Sequence, residues 1–284
     1  MKEAWRSFRM ATWLGWQIES NWTDPFLFLV YSIIKPVASV MILVIMYWVI
    51  TQTDTSSAYF AYMYVGNAAY IYVGSILVGV SWAVIDDREH YQTLKYIYLS
   101  PIKLYYYLLG RGMARFLTGT LSVVITMGFG LLVLKLPITL SEVNWPYLAA
   151  SMVLGLASLA LLGLLLGAAT LQMARHYWSV GESVAAALYL VCGAIFPIDV
   201  LPTWMLPICY ALPLTYWLES LRRAVLGSDV SKGISPALAS FSDSQLLLIL
   251  LGSTLISGIL SLYFYRWSEH RAREKGLLDM TTQY

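Results

Sequence analysis

The sequence is poor in charge and nearly empty of the residues from which catalytic and metal sites are built. Of its 284 residues 12% are charged, three are histidine and two are cysteine. A soluble domain carries about a quarter of its residues as Asp, Glu, Lys and Arg, so charge this sparse excludes an ordinary water-exposed surface. His90, His176 and His270 lie far apart in the sequence and read as solvated side chains rather than a metal set. Cys192 and Cys209 sit in apolar surroundings near prolines; two buried thiols fit this setting, and a disulfide stays open. No G-x-x-x-x-G-K-[ST] loop is present to cradle ATP phosphates, and no H-E-x-x-H, paired C-x-x-C or G-x-S-x-G motif occurs. Only Glu182 and Glu219 lie near apolar runs, too few carboxylates for a proton relay. Neither inverted nor parallel repeats are visible, which argues against a secondary transporter.

Apolar residues make up 59% of the chain, with a mean hydropathy of +0.66. These values predict an all-α integral membrane protein, one domain over residues 1–284, with six spans of roughly 20 to 28 residues. Residues 1–24 place Trp5, Phe8, Trp13 and Trp16 on one helical arc, which predicts an interfacial helix; Arg9 intrudes, but its side chain can snorkel. No small-residue cleavage site follows, so no removable signal peptide is expected. The first span, Phe26 to Ile50, contains Lys35 and Pro36; Lys35 either faces a partner or cavity or sits at headgroup level. The second, Tyr59 to Ile85, is dense in tyrosine at 59, 62, 64, 70 and 72. These form either an aromatic belt or a stacking surface along a substrate path. Spans at about 105–134 and 145–171 follow, the latter with Gly163 and Gly167 at a spacing that lets helix backbones approach. A fifth at about 180–196 and a last at about 246–265 complete the set.

Two stretches break the pattern. Asp86 to Pro101, DDREHYQTLKYIYLSP, is predicted to be a short amphipathic helix. At about 100° per residue, Tyr91, Leu94, Ile97 and Tyr98 fall on one arc and Arg88, Glu89, Gln92 and Lys95 on the other. Asp86 and Asp87 suit its start and Ser100-Pro101 its stop. The second stretch, residues 197–227, is apolar yet carries Pro197, Pro202, Pro207 and Pro213, which rule out one continuous helix. Broken backbone at membrane depth must be buried in protein or line a wet cavity, so a re-entrant helix pair is expected. Glu219 with Arg222 and Arg223, at i, i+3 and i+4, can neutralise charge locally. With six spans, 13 of the 18 Lys and Arg residues fall on one side. The positive-inside rule then puts both termini and the Asp86–Pro101 helix in the cytoplasm and the re-entrant segment outside.

In this order the stretches resemble the permease subunits of type-2 ABC exporters, the family of drug-efflux and polysaccharide-export permeases. Asp87-Arg88-Glu89, Thr93-Leu94 and Leu99-Ser100-Pro101 are similar to the run that forms that family's coupling helix; Gln92 stands where Gly is usual and Lys95 where Glu is usual. Phe196-Pro197, Leu201-Pro202, Trp204, Pro213-Leu214-Thr215-Tyr216, Glu219 and Arg222 resemble its outward re-entrant signature. The resemblance implies a permease homodimer in the cell membrane of a prokaryote. Each copy would engage a separate ABC ATPase, two in all, which carry the ATP and Mg; this chain itself binds no cofactor and no nucleic acid. Asp87, Arg88, Glu89, Tyr91, Thr93, Leu94, Lys95, Tyr98 and Pro101 are the expected coupling residues, with Tyr91, Leu94 and Tyr98 seated in a groove of the ATPase. The candidate substrate path comprises Tyr59, Tyr62, Tyr70, Lys35, Pro197, Pro202, Trp204, Tyr216, Glu219 and Arg222. The expected cargo is a hydrophobic or amphipathic small molecule or lipid, with a lipid-linked polysaccharide as the alternative. Two rivals are a secondary transporter using Lys35 as its coupling charge and a lipid-modifying membrane enzyme built on Glu219, Arg222 and Arg223.

Overall fold

The computed structural model describes residues 2–21, 25–52, 57–173 and 177–276, and among these every regular element is a helix. Helix α1 (Lys2–Asn21) leads to α2 (Pro25–Thr51). The next span joins α3 (Ala58–Tyr72), a π-helical segment Val73–Val78, α4 (Gly79–Ile85) and a second π segment, Asp86–His90. A short α5 (Leu94–Leu99) turns the chain into α6 (Leu104–Leu132), followed by α7 (Trp145–Gln172) and α8 (Tyr177–Val191). A single 3-10 turn, Ile198–Val200, precedes α9 (Leu206–Ala211), α10 (Pro213–Leu226), α11 (Ser228–Ile234), α12 (Pro236–Ala239) and the long α13 (Asp243–Glu274). Among the described residues five helical runs, Ser32–Thr51, Ala58–His90, Leu104–Leu132, Trp145–Gln172 and Asp243–Glu274, are long and apolar enough to cross a bilayer. With 15 residues, α8 is about 22 Å long, short of a hydrocarbon core of about 30 Å.

Local chemistry starts these helices. Asn144 accepts from the Tyr147 amide at the head of α7, where Pro146 occupies the first turn. Ser242 and Gln245 form a capping box on α13. The Ala58–His90 run is the centre of the bundle, with 72% of its apolar window buried against 17% to 39% in the other four. Gly163 and Gly167 face it: a Cβ on Gly163 would lie 3.1 Å from the Leu77 carbonyl, and one on Gly167 3.4 Å from Val84. The glycine pair of α7 thus packs against the second span of its own chain.

One end of the bundle gathers both ends of the described chain. There Ala11 of α1, Leu94, Leu104, Leu171 and Tyr265 share one apolar cluster. The other end holds the C-terminus of α2, the N-terminus of α3, the α6–α7 turn and residues 193–243, where the Asn144 amide donates to the Ala224 carbonyl at 2.9 Å. These are called the near and far ends.

The packing face of α1 is the one the tryptophan arc does not mark. Ser7, Ala11 and Gly15, four residues apart, lie on α6. A Cβ on Gly15 would sit 2.8 Å from Ala114 Cβ, and one on Gly110 2.4 Å from the Phe8 carbonyl. Small residues allow this approach, so Trp5 and Trp13 are left 66% and 65% exposed. Two ion pairs fasten the helix, Glu3 with Lys103 at 3.8 Å and Glu19 with Arg115 at 2.8 Å. Burial pushes the Glu19 carboxyl above its ordinary value, opposed by Arg115 and then Arg111.

Candidate functional site

The single helix expected over Asp86–Pro101 is two pieces, and its charged half points inward. Asp86–His90 is the last, π-helical turn of the second span. Asp87, Arg88 and Glu89 are all buried. Arg88 Nε donates to Glu89 Oε1 at 2.8 Å and Arg88 Nη1 reaches the Thr170 carbonyl at 3.4 Å. Arg111 of α6 lies 3.6 Å from Asp87. Carboxylates at a helix C-terminus oppose the helix dipole; here arginines, not a helix start, compensate them. The wider π turn rotates these side chains toward α6 and α7, which a 100° wheel cannot anticipate.

The span ends at Gln92, whose φ of +51° is the left-handed conformation that stops helices. The Tyr91 amide donates to the Asp86 carbonyl and the Thr93 amide to the Asp87 carbonyl, both at 2.8 Å. A glycine is the usual residue at such a place because it lacks a Cβ, so Gln92 holds this conformation at a cost. Non-glycine residues there cost about 1 kcal/mol. We therefore expect Gln92→Gly to raise the melting temperature of the detergent-purified chain slightly and Gln92→Val to lower it. A fall with glycine would show that the Gln92 side chain contributes more than its backbone costs.

After this reversal α5 begins at Leu94, which is 1% exposed and packs into the near-end cluster, with Ile97 behind it. This corrects the expectation that Leu94 faces a partner: it belongs to the chain's own core, worth about 2 kcal/mol of burial. The outward edge is Tyr96 and Leu99, 64% and 85% exposed and one turn apart, with Tyr91 beside them. Thr93 is half-buried, Pro101 is exposed, and Lys95 lies 5.5 Å from the centre of the Tyr96 ring. The Tyr98 side chain lies outside the described residues. Ser100 closes the helix by donating to the Ile97 carbonyl at 2.6 Å. A groove of about 550 Å³ runs between α1 and this corner, lined by Leu14, Ile18, Asp87, Tyr91, Tyr96 and Ile97. So short a helix carries apolar residues on both edges, and only one edge is packed within the described chain.

At the far end Glu219, Arg222 and Arg223 of α10 are fully buried. Only one of the two arginines pairs with Glu219: Arg223 Nε lies 3.0 Å from Glu219 Oε1. Arg223 also donates to Asp243 at 3.0 Å and to the carbonyls of Leu238 and Phe241 at 2.7 Å each. Arg222 instead donates to the carbonyls of Tyr62 (3.0 Å), Gly193 (2.7 Å) and Ala194 (2.9 Å), and its guanidinium lies 3.9 Å from the Tyr62 ring centre. Tyr62 Oη and Ser231 Oγ donate to Glu219 at 3.1 and 2.7 Å. The four charges cancel, and the guanidinium groups satisfy carbonyls that broken helices leave open. Gly193 makes this possible: with φ +70° it ends the α8 segment and turns its carbonyl to Arg222.

Among the expected path residues, Tyr62, Glu219 and Arg222 are therefore bound into a closed network. Tyr216 is buried with its hydroxyl on the Tyr210 carbonyl at 2.8 Å, and Pro197 is buried. Tyr70 donates to the Ala185 carbonyl, and its ring centre lies 4.7 Å from that of Tyr189. Tyr64 and Tyr72 likewise donate to Thr126 and Thr120 of α6. The tyrosines at 62, 64, 70 and 72 are thus hydroxyl ties between helices. Tyr59, Lys35, Pro202 and Trp204 are exposed. Asp243, Ser231 and Gly193 complete the lock and were not foreseen, since each lies on a different element from α10.

Bilayer-length apolar helices around a buried central span, with polar groups reserved for inter-helix ties, define a polytopic helical membrane protein. Residues 7–226 match the ABC-2 type transporter family, and the chain belongs to it. It is accordingly the transmembrane permease component of an ABC transporter, a kind of subunit that associates with an ABC ATPase. No curated protein matches the sequence.

Proposed function

We propose that the chain is the permease of an ATP-driven exporter and that its Tyr91, Tyr96 and Leu99 edge docks on a separate ATPase. The carrying observation is that α5 has two apolar edges: Leu94 and Ile97 are packed into the permease while Tyr96 and Leu99 are exposed. A helix anchored on one side and open on the other can pass a push on its outer edge into the bundle. The Asp87–Arg111 and Arg88–Glu89 contacts stiffen the joint to the second span, whose far half is tied through Tyr62 to the Arg222 lock. Movement at the near end thereby reaches the far end along one buried rod.

In this reading α8, too short alone, completes the fifth of six crossings together with the buried irregular chain after Val191; both termini and the α5 corner are cytoplasmic, and the membrane is the plasma membrane of a prokaryote. Two copies of the chain form the pathway between them, and two ATPases supply ATP and Mg. The cargo is a hydrophobic or amphipathic small molecule or lipid; exposed Tyr59, Lys35, Pro202 and Trp204 are the path residues free to meet it. Inside-out vesicles containing chain and ATPase should accumulate such a cargo with ATP and not with an ion gradient alone. Uptake driven by an ion gradient in ATP-depleted vesicles would overturn the proposal in favour of a secondary transporter.

A further inference from the structure

We infer that α1 and α6 together hold an anionic phospholipid, with its acyl chains in apolar grooves beside α1 and its phosphate on Arg6 and Arg9. Two of the grooves beside α1 meet at Arg9. One, of about 670 Å³, runs against α6 past Phe8, Trp16, Met113, Leu117 and Leu121. The other, of about 550 Å³, opens toward Ile102 and Tyr107. Trp5, Arg9 and Trp13 border both, so one cation stands between two apolar channels, as a phosphate stands between two acyl chains.

Charge complementarity decides the headgroup. The acids of α1, Glu3 and Glu19, are engaged by Lys103 and Arg115. Arg6 and Arg9, one turn apart and exposed, have no ion pair among the described residues. The outward face of α1 is thus positive, while tryptophans of the kind that settle at a bilayer interface stand on either side of Arg9. Because α6 is long and apolar enough to cross a membrane, the molecule available to these grooves is a lipid. Two arginines near the surface favour an anionic over a zwitterionic headgroup by about a factor of five each.

The site needs no ATPase, so its test is separate from that of the transport proposal. The full chain, delipidated in detergent, is titrated with dioleoyl phosphatidylglycerol or dioleoyl phosphatidylcholine, and bound lipid is counted by native mass spectrometry. We expect phosphatidylglycerol to bind roughly 25-fold more tightly. Arg6→Gln with Arg9→Gln should bring the two lipids to parity without changing the melting temperature, and Trp13→Ala should weaken both lipids alike. Equal affinity for the two lipids, or a preference that survives the double arginine change, would overturn the site. So would displacement of the lipid by inorganic phosphate alone, or a second copy of the chain found covering a cysteine placed at Trp13.

Discussion

Gly66→Ala is expected to remove most folded protein from the membrane, although it adds a single methyl group. A Cβ at this position would lie 1.9 Å from Arg222 Nη2, 2.7 Å from Arg222 Cζ and 2.3 Å from the Ala194 carbonyl oxygen. Real Cβ atoms do not come so close, so the guanidinium would have to leave its slot in α3. It cannot leave cheaply. Arg222 is 2% exposed and donates to three carbonyls, two of them in the irregular chain after α8, where no helix bond replaces them. Stranding a buried charge costs on the order of 3–5 kcal/mol, a large fraction of the 5–15 kcal/mol that holds a domain together. The expected result is a loss of monodisperse protein on size-exclusion chromatography and a melting temperature lowered by several degrees. Gly74→Ala, with nothing within 4 Å of its added Cβ, is the control and should behave as the parent. A Gly66→Ala chain as stable as the parent would show that Arg222 has an alternative seat.

Tyr96→Glu combined with Leu99→Glu should leave the permease folded and abolish its association with the ATPase. Both side chains are exposed, so the substitutions cost the isolated chain little. On docking, however, two carboxylates would be carried into an apolar contact. Central apolar anchors are each worth about 2 kcal/mol or more in an interface, so affinity should fall at least 100-fold. Leu94→Ala makes the contrast. That side chain belongs to the near-end core, and its truncation should cost about 2–5 kcal/mol of permease stability. Co-purification of tagged permease with ATPase separates the two cases. If the double glutamate variant retains its ATPase, the outward edge of α5 is not the dock.

Much of this architecture is legible in the sequence because it depends on local chemistry. Length and hydropathy mark the spans, and Ser242 and Asn144 announce the starts of α13 and α7. The four prolines of residues 197–227 mark where helix must fail, and α9 and α10 are the fragments left between them. The Glu219–Arg223 pair, a turn apart, could be read from spacing alone. What could not be read depends on elements far away in the chain. Asp87, Arg88 and Glu89 look like a solvated run because Arg111 and the Thr170 carbonyl, which bury them, lie some 20 and 80 residues on. Arg222 looks like a partner for Glu219, but the slot that holds it is cut by Gly66 in α3. The tryptophans of α1 mark only its exposed face, whereas the tight contact on the opposite side is made by Ser7, Ala11 and Gly15, whose smallness carries little hydrophobic signal. Gln92 is the intermediate case: the departure from glycine is visible in the sequence, and its φ of +51° shows why glycine would be favoured there.

Site-directed cross-linking from the two ends of the bundle tests the coupling scheme most directly. One variant carries a cysteine at Leu99, at the near end, and the other at Trp204, exposed in the segment after α8; Cys192 and Cys209 are buried and serve as silent background. With a short bifunctional thiol reagent, Leu99→Cys should capture the ATPase subunit, and more so when ATP is present, while Trp204→Cys should capture none. An adduct from Trp204→Cys, or none from Leu99→Cys in a complex that still hydrolyses ATP, would contradict docking at α5.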